Sequence, residues 1–322
     1  MGLGPGEDVG DTMGIGLLFP GQGSQFPGMG KELVEAWPAA REVFEEASES
    51  LGFSMDDLCR NGSEEELRRT ENTQPAVFTV SVAAWRVLAG ETGIRPLCAA
   101  GHSLGEYSAL AASGVLSVSD AVRILRSRGR YMQEAVPLGE GAMAALIGLS
   151  PESVEGICRE AGRDGVVEPA NYNGGDQIVI SGTAGAVAAA CRAATAAGAK
   201  RAMLLPVSAP FHCSLMKPAA DRLSPELRAV RTGEFSFPVV ANVSAEPYPE
   251  GLEPAEILVR QIDSPVRWEE CVLRMRAMGA TDFLEIGPGK VLSGLVRRID
   301  RGVPVAAFCG PADLPGVRAI AS

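Results

Sequence analysis

Five residues, Gly101-His102-Ser103-Leu104-Gly105, constrain this chain more than any other stretch. Gly-x-Ser-x-Gly is the sequence of a nucleophile elbow, in which a strand turns sharply into a helix and carries the serine at its apex. Glycines flank the serine because the tight backbone leaves little room for side chains at those positions. The surroundings agree: residues 97–100 read as a short buried strand, and residues 104–112 as the helix that leaves the turn.

A serine hydroxyl is a weak nucleophile at neutral pH and needs a base beside it. The chain has only two histidines. His102 adjoins Ser103, and neighbours in a sharp turn point apart, so its place is that of a positional member of the elbow, bonded to nearby backbone. His212, in Ala209-Pro210-Phe211-His212-Cys213, is the candidate base and Ser103 the candidate nucleophile. Where such an elbow carries a full triad, an Asp or Glu lies between the serine and the histidine. Here the acids of that interval, Glu152, Glu155, Asp164 and Asp176, read as surface residues. The expectation is therefore a Ser–His dyad with His212 held by main-chain carbonyls. A tetrahedral oxyanion also needs fixed N–H donors. The Leu104 amide is one, and Gln22, in the loop Pro20-Gly21-Gln22-Gly23-Ser24-Gln25 after a first strand at 15–19, is the candidate for the other.

Arg128 adds a charge. In a helix read over 120–134, Arg123, Arg126 and Arg130 share a face, whereas Arg128 sits among Ile124, Leu125, Tyr131 and Met132. A buried unpaired cation is very costly, so it needs a partner. Either an internal carboxylate or a carboxylate on the substrate, held by the planar guanidinium, satisfies it.

Residues 142–207 read as strand, helix, strand, hairpin turn (Asn173-Gly174-Gly175-Asp176), strand, helix, strand. That βαββαβ order is the ferredoxin-like unit. Before and after it, helices alternate with short apolar strands, the pattern of a parallel α/β sheet. The expected architecture is an α/β-hydrolase-like main domain, 14–138 and 208–310, with a parallel sheet core, interrupted by a ferredoxin-like insert at 139–207. Residues 1–13 are expected as a disordered leader and 311–322 as a C-terminal tail.

Composition narrows the functional class. With 29 basic and 40 acidic residues, the net charge of −11 argues against nucleic acid as a partner. No apolar run approaches the ~20 residues of a membrane span. The seven cysteines are scattered and odd in number, which suits a reducing cytoplasm better than a disulfide framework. No His/Cys/Asp group has metal-ligand spacing, so no metal is expected. Gly287-Pro288-Gly289-Lys290 lacks the spacing of a phosphate loop and reads as a strand-to-helix turn. Lys290, Arg297, Arg298 and Arg301 form a local basic cluster.

Several separate stretches, in order, resemble the malonyl-CoA:acyl-carrier-protein transacylases: Phe19-Pro20-Gly21-Gln22-Gly23-Ser24-Gln25, Gly101-His102-Ser103-Leu104-Gly105-Glu106, Arg128-Gly129-Arg130-Tyr131-Met132-Gln133, Asn171-Tyr172-Asn173, Pro210-Phe211-His212 and Glu285-Ile286-Gly287-Pro288-Gly289. The resemblance covers about 15–308. It implies a malonyl group taken from coenzyme A onto Ser103, with His212 as base and acid, and passed to the phosphopantetheine thiol of acyl carrier protein. It further implies Gln22 and Leu104 amides as the oxyanion hole, Arg128 as the grip on the malonyl carboxylate, Asn171 and Phe211 as substrate-binding residues, and a backbone carbonyl at Gln261 that holds His212. Phe211 matches the malonyl-selecting form of the site, in which a bulky ring leaves little room for an α-methyl group. The carrier is acidic, so the basic cluster gains a docking role. Malonyl-CoA is a substrate and no resident cofactor is expected; the chain is expected to act as a cytoplasmic monomer in fatty-acid synthesis. Three alternatives keep most of these residues: a serine esterase or thioesterase, an acyltransferase of a polyketide assembly line, and a non-catalytic carrier-binding module.

Overall fold

The computed structural model describes residues 14–249, 251 and 253–321; the leader expected at 1–13 lies outside them. Among the described residues, nine strands form two sheets. β1 (Ile15–Phe19), β2 (Cys98–Gly101), β7 (Val239–Val240), β8 (Asp282–Ile286) and β9 (Val305–Phe308) make a sheet of order β7-β2-β1-β8-β9, parallel throughout. β3 (Gly141–Ile147), β4 (Val167–Tyr172), β5 (Gln177–Thr183) and β6 (Arg201–Leu204) make a separate antiparallel sheet of order β4-β5-β3-β6.

The parallel sheet is apolar on both faces, as such sheets must be when helices cover both sides. Along β1 the alternation is visible: Leu17 and Phe19 enter one hydrophobic cluster, and Leu18 enters another, with Ala100, Trp268 and Phe283. The helix Thr70–Thr92 buries most of its length and accommodates Pro75 in its first turns. The helix Val118–Glu134 starts at its Ser117 cap, whose hydroxyl accepts the Asp120 amide.

The antiparallel sheet divides its residues between two cores. Ala144 and Leu146 pack under the helices Pro151–Ala161 and Ala184–Ala196, whereas Met143 and Ala145 face the main body. β6 stops at Leu204, three residues short of the expected 207, with one further backbone bond from the Leu205 amide to the Met143 carbonyl. Residues 311–321 correct the expected tail. They carry a short 3-10 turn and the helix Leu314–Ala321, and Val317 is buried against the main core. Burial of Val317 gives this segment a reason to fold.

Candidate active site

β2 runs straight into the elbow. A Cβ on Gly101 would overlap the carbonyl oxygen of Gly105, and one on Gly105 would overlap that of Phe19 at the end of β1. The turn therefore closes only with hydrogen at both positions. Ser103 sits at φ 54°, a left-handed conformation that costs a non-glycine residue on the order of 1–3 kcal/mol and that lifts its hydroxyl clear of the chain. His212 is also left-handed, at φ 59°.

The two meet. Ser103 Oγ lies 2.7 Å from His212 Nε2. His212 Nδ1 lies 3.0 Å from the backbone oxygen of Gln261. A carbonyl only accepts, so Nδ1 carries the proton, and Nε2 presents its lone pair to the serine hydroxyl. The Gln261 carbonyl is available because it ends the helix Pro254–Ile262, where the last four carbonyls lack intrahelical partners. The negative end of that helix dipole faces an imidazole that would gain a proton. Burial, then the positive charge of Arg128, push the His212 pKa down to about 3, against the opposing Gln261 bond. At neutral pH the ring is an unprotonated base.

Arg128 is 1 % exposed and its surroundings decide between the two partners open to it. Nη1 donates to Gln74 Oε1 at 2.8 Å, and Nη2 donates to Gln261 Oε1 at 2.9 Å and to Ser103 Oγ at 3.1 Å. All three acceptors are neutral, its Nε has no partner, and the Tyr107 ring lies beneath it at 5.6 Å. Among the described residues no carboxylate pairs with it. Burial accordingly lowers its pKa.

The reacting atoms line a cavity of about 120 Å³ with Gln22, Met132, Met143, Asn171 and Phe211. It shares Gln22, His102, Asn171, Leu205 and Val207 with a groove of about 510 Å³ that is also lined by the Gly21–Pro27 loop and Leu292. Gln22, Leu104, Asn171 and Phe211 thus all come to the site. Leu104 precedes the helix Gly105–Ala112, and among the described residues neither the Leu104 nor the Gln22 amide has a protein acceptor. The expectation for His102 needs correction: its Nε2 bonds the Asn173 side chain at 3.0 Å rather than backbone, and its ring leans on Trp268. The antiparallel unit brings Asn173 there, a placement no local pattern encodes. Cys213 is buried, its thiol donating to the Pro210 carbonyl. Lys290 ends the turn between β8 and the helix Val291–Ile299.

Four residues that sequence reasoning missed complete the floor. Asn242 accepts the Ser103 amide at 2.8 Å and donates to the Gly101 carbonyl at 2.8 Å. Glu106, fully buried, accepts from Gln261, from the Asn242 amide and from the Tyr248 hydroxyl. Gln74 holds Arg128. The one available signal was Glu106, an acid in the first turn of an otherwise apolar helix. Among the described residues no group of three His, Cys, Asp or Glu side chains is placed to hold a metal ion, and no helix is long and apolar enough to cross a membrane.

A strained serine on an α/β elbow, a neutral imidazole on its hydroxyl and a guanidinium without a counter-ion define the class: a serine-dependent acyl-transfer scaffold. Comparison with known proteins agrees. Residues 17–311 match the acyl transferase domain family. The malonyl CoA-acyl carrier protein transacylase of Bacillus subtilis strain 168 is 50% identical over 298 residues, covering 92% of this chain and 94% of the relative. That of Escherichia coli K12 is 48% identical over 295 residues, covering 92% and 96%. Among solved structures, an acyl carrier protein S-malonyltransferase from Vibrio cholerae superposes with a TM-score of 0.91 at 44% identity, covering 94% of this chain and 99% of that one. A malonyl-transacylase solved in complex with a type II PKS acyl-carrier protein gives 0.92 at 46% identity, covering 95% and 99%. The chain belongs to the malonyl CoA-acyl carrier protein transacylase family.

Proposed function

We propose that this enzyme moves a malonyl group from coenzyme A to the thiol of an acyl carrier protein through a malonyl ester on Ser103. The observation that carries the malonyl part is Arg128: a buried guanidinium bound only by neutral oxygens, 3.1 Å from Ser103 Oγ. A carboxylate on the acyl group supplies the missing counter-charge.

In the first half-reaction the Ser103 proton passes to His212 Nε2 as Oγ attacks the thioester carbonyl. The oxyanion is held by the Gln22 and Leu104 amides. The carbon–sulfur bond breaks, and the departing sulfur takes the proton from His212 to leave as coenzyme A thiol. In the second half-reaction the carrier thiol gives its proton to His212 and attacks the ester, and Ser103 recovers its proton as its oxygen leaves. This is a ping-pong transfer. Phe211 and Asn171, on the cavity wall, select the acyl group; one methyl there is worth about 1–3 kcal/mol. The groove would take the pantetheine arm.

We also infer that residues 139–207 form a ferredoxin-like insert in an α/β-hydrolase-like domain, 14–138 and 208–310. The order strand-helix-strand-strand-helix-strand and the antiparallel arrangement β4-β5-β3-β6 support that reading.

Incubation with malonyl-CoA followed by intact-protein mass tests the function. A malonyl adduct on the wild type that is absent from Ser103→Ala is the expected result. A wild type that stays unmodified overturns the proposal.

A further inference from the structure

The hydrogen-bond partners of Arg128 raise a question of polarity. A glutamine carboxamide has one accepting and one donating end, and either can face a neighbour. Arg128 needs the accepting end of Gln261. The alternative rotamer would turn an N–H group toward the guanidinium, repel it, and leave no bond to aim it. Something must therefore decide which way Gln261 points.

The Gln261 Nε2 end has two partners, the Ser103 carbonyl at 2.9 Å and Glu106 Oε2 at 2.7 Å. Glu106 Oε2 also receives the backbone amide of Asn242 at 3.0 Å. A backbone amide only donates, so this oxygen accepts from it, and in its ionised form the carboxylate has no proton to give, so Gln261 meets it with an N–H. The other carboxylate oxygen receives the Tyr248 hydroxyl. Two acceptors, the Ser103 carbonyl and the Glu106 oxygen that the Asn242 amide holds in place, thus take the two N–H bonds of Gln261 Nε2 and leave Gln261 Oε1 to Arg128. Glu106, Gln261 and Arg128 are each 0–1 % exposed, so bulk water does not replace a missing partner.

We propose that Glu106 is a positioning residue for acyl-group selection: its accepting oxygen locks the Gln261 carboxamide, which in turn aims the Arg128 guanidinium at the acyl carboxylate. Glu106 does not pair with Arg128 directly, so the guanidinium stays free for the substrate. The same carboxylate supports the elbow, because the Asn242 whose amide it accepts also holds Ser103 and Gly101 through its side chain. This inference rests on the reading of Arg128 as the carboxylate grip.

The test compares kcat and KM for malonyl-CoA with those for acetyl-CoA, which has no acyl carboxylate, in the full-length wild type, Glu106→Met, Glu106→Gln, Gln261→Met and Arg128→Ala. Glu106→Met removes one of the two acceptors and leaves the Ser103 carbonyl alone to hold Gln261 Nε2. The malonyl-over-acetyl preference should fall by about tenfold or more, through KM for malonyl-CoA. Glu106→Gln keeps an oxygen that the Asn242 amide can hold in place, and should restore the preference to within about threefold of wild type. If Glu106→Met does not fold, Gln261→Met decides, since it removes the middle of the relay and leaves the backbone carbonyl on His212. Preference retained in Glu106→Met, or in Gln261→Met, overturns the proposal. So does an equal loss in Glu106→Gln, which would assign the effect to charge, and so does an equal fall in kcat for both acyl groups, which would assign Glu106 to the elbow alone. Simple removal of a negative charge near Arg128 would tighten malonyl binding, the opposite sign. If Arg128→Ala keeps the wild-type preference, it is the carboxylate-grip reading that fails, separately from the relay.

Discussion

At Arg128, burial and charge give opposite demands, which the proposed acyl carboxylate would reconcile. The guanidinium is held by Gln74, Gln261 and Ser103, none of them charged. Charge-assisted bonds of this kind are worth roughly twice a neutral one. Arg128→Ala should therefore lose about a hundredfold in malonyl kcat/KM while acetyl transfer is kept or improved. Steady-state transfer with both donors checks this, and unchanged malonyl transfer would remove the carboxylate-grip reading. His212 differs from Arg128 in that its partner is present: a helix-terminal carbonyl does the orienting that a triad acid does elsewhere. With its pKa held at about 3, His212 remains a competent base well below neutrality. The malonylation rate should show no fall between pH 7 and 5 from His212 protonation. A base titrating near ~6.5, the ordinary histidine value, would contradict that burial.

The elbow is the element on which the site depends. β2 and the helix Gly105–Ala112 meet at an angle that brings Gly101 against the Gly105 carbonyl and Gly105 against that of Phe19. Backbone cannot retreat here, because both carbonyls belong to the central strands or the turn itself. Gly105→Ala should lower stability by about 2–3 kcal/mol and abolish acylation of Ser103 in the fraction that folds. Thermal unfolding and malonyl labelling read the two effects, and a variant with wild-type values in both would show that the turn relaxes at no cost. The helix Pro254–Ile262 contributes its end rather than its length: Gln261 sits at its last turn, offering a free carbonyl to His212 and its side chain to Arg128.

Across the whole molecule, the site draws its residues from both sheets. The parallel sheet carries Ser103. The antiparallel sheet walls the cavity with Met143 and Asn171 and ties itself to the elbow through Asn173 and His102. Keeping a neutral imidazole in this interior has a global consequence. The folded pKa of His212 is lowered, so below ~6.5 the unfolded chain binds a proton that the folded chain refuses. The stability due to this group is full above ~6.5 and is lost as pH falls toward about 3, at up to about 1.4 kcal/mol per pH unit. Urea unfolding of wild type and His212→Gln between pH 7 and 4 measures the difference. The wild type should lose stability faster by close to one proton, and parallel curves would rule out burial of the neutral ring.

Ser103, His212 and Arg128 were legible in the chain because their local chemistry is unusual: a glycine-bracketed serine, one of two histidines, and an arginine on an apolar stripe. The alternation of strands and helices was legible for the same reason, since hydrophobic period is a local property. Glu106, Asn242, Gln74, Tyr248 and Asn173 were not legible. Each is polar, and each takes its role from partners 54 to 155 positions away in the chain. By itself the sequence determined which groups do chemistry. The tertiary structure alone decided which neutral oxygens surround the charge, because hydrogen-bond polarity in a buried network is set by every member at once.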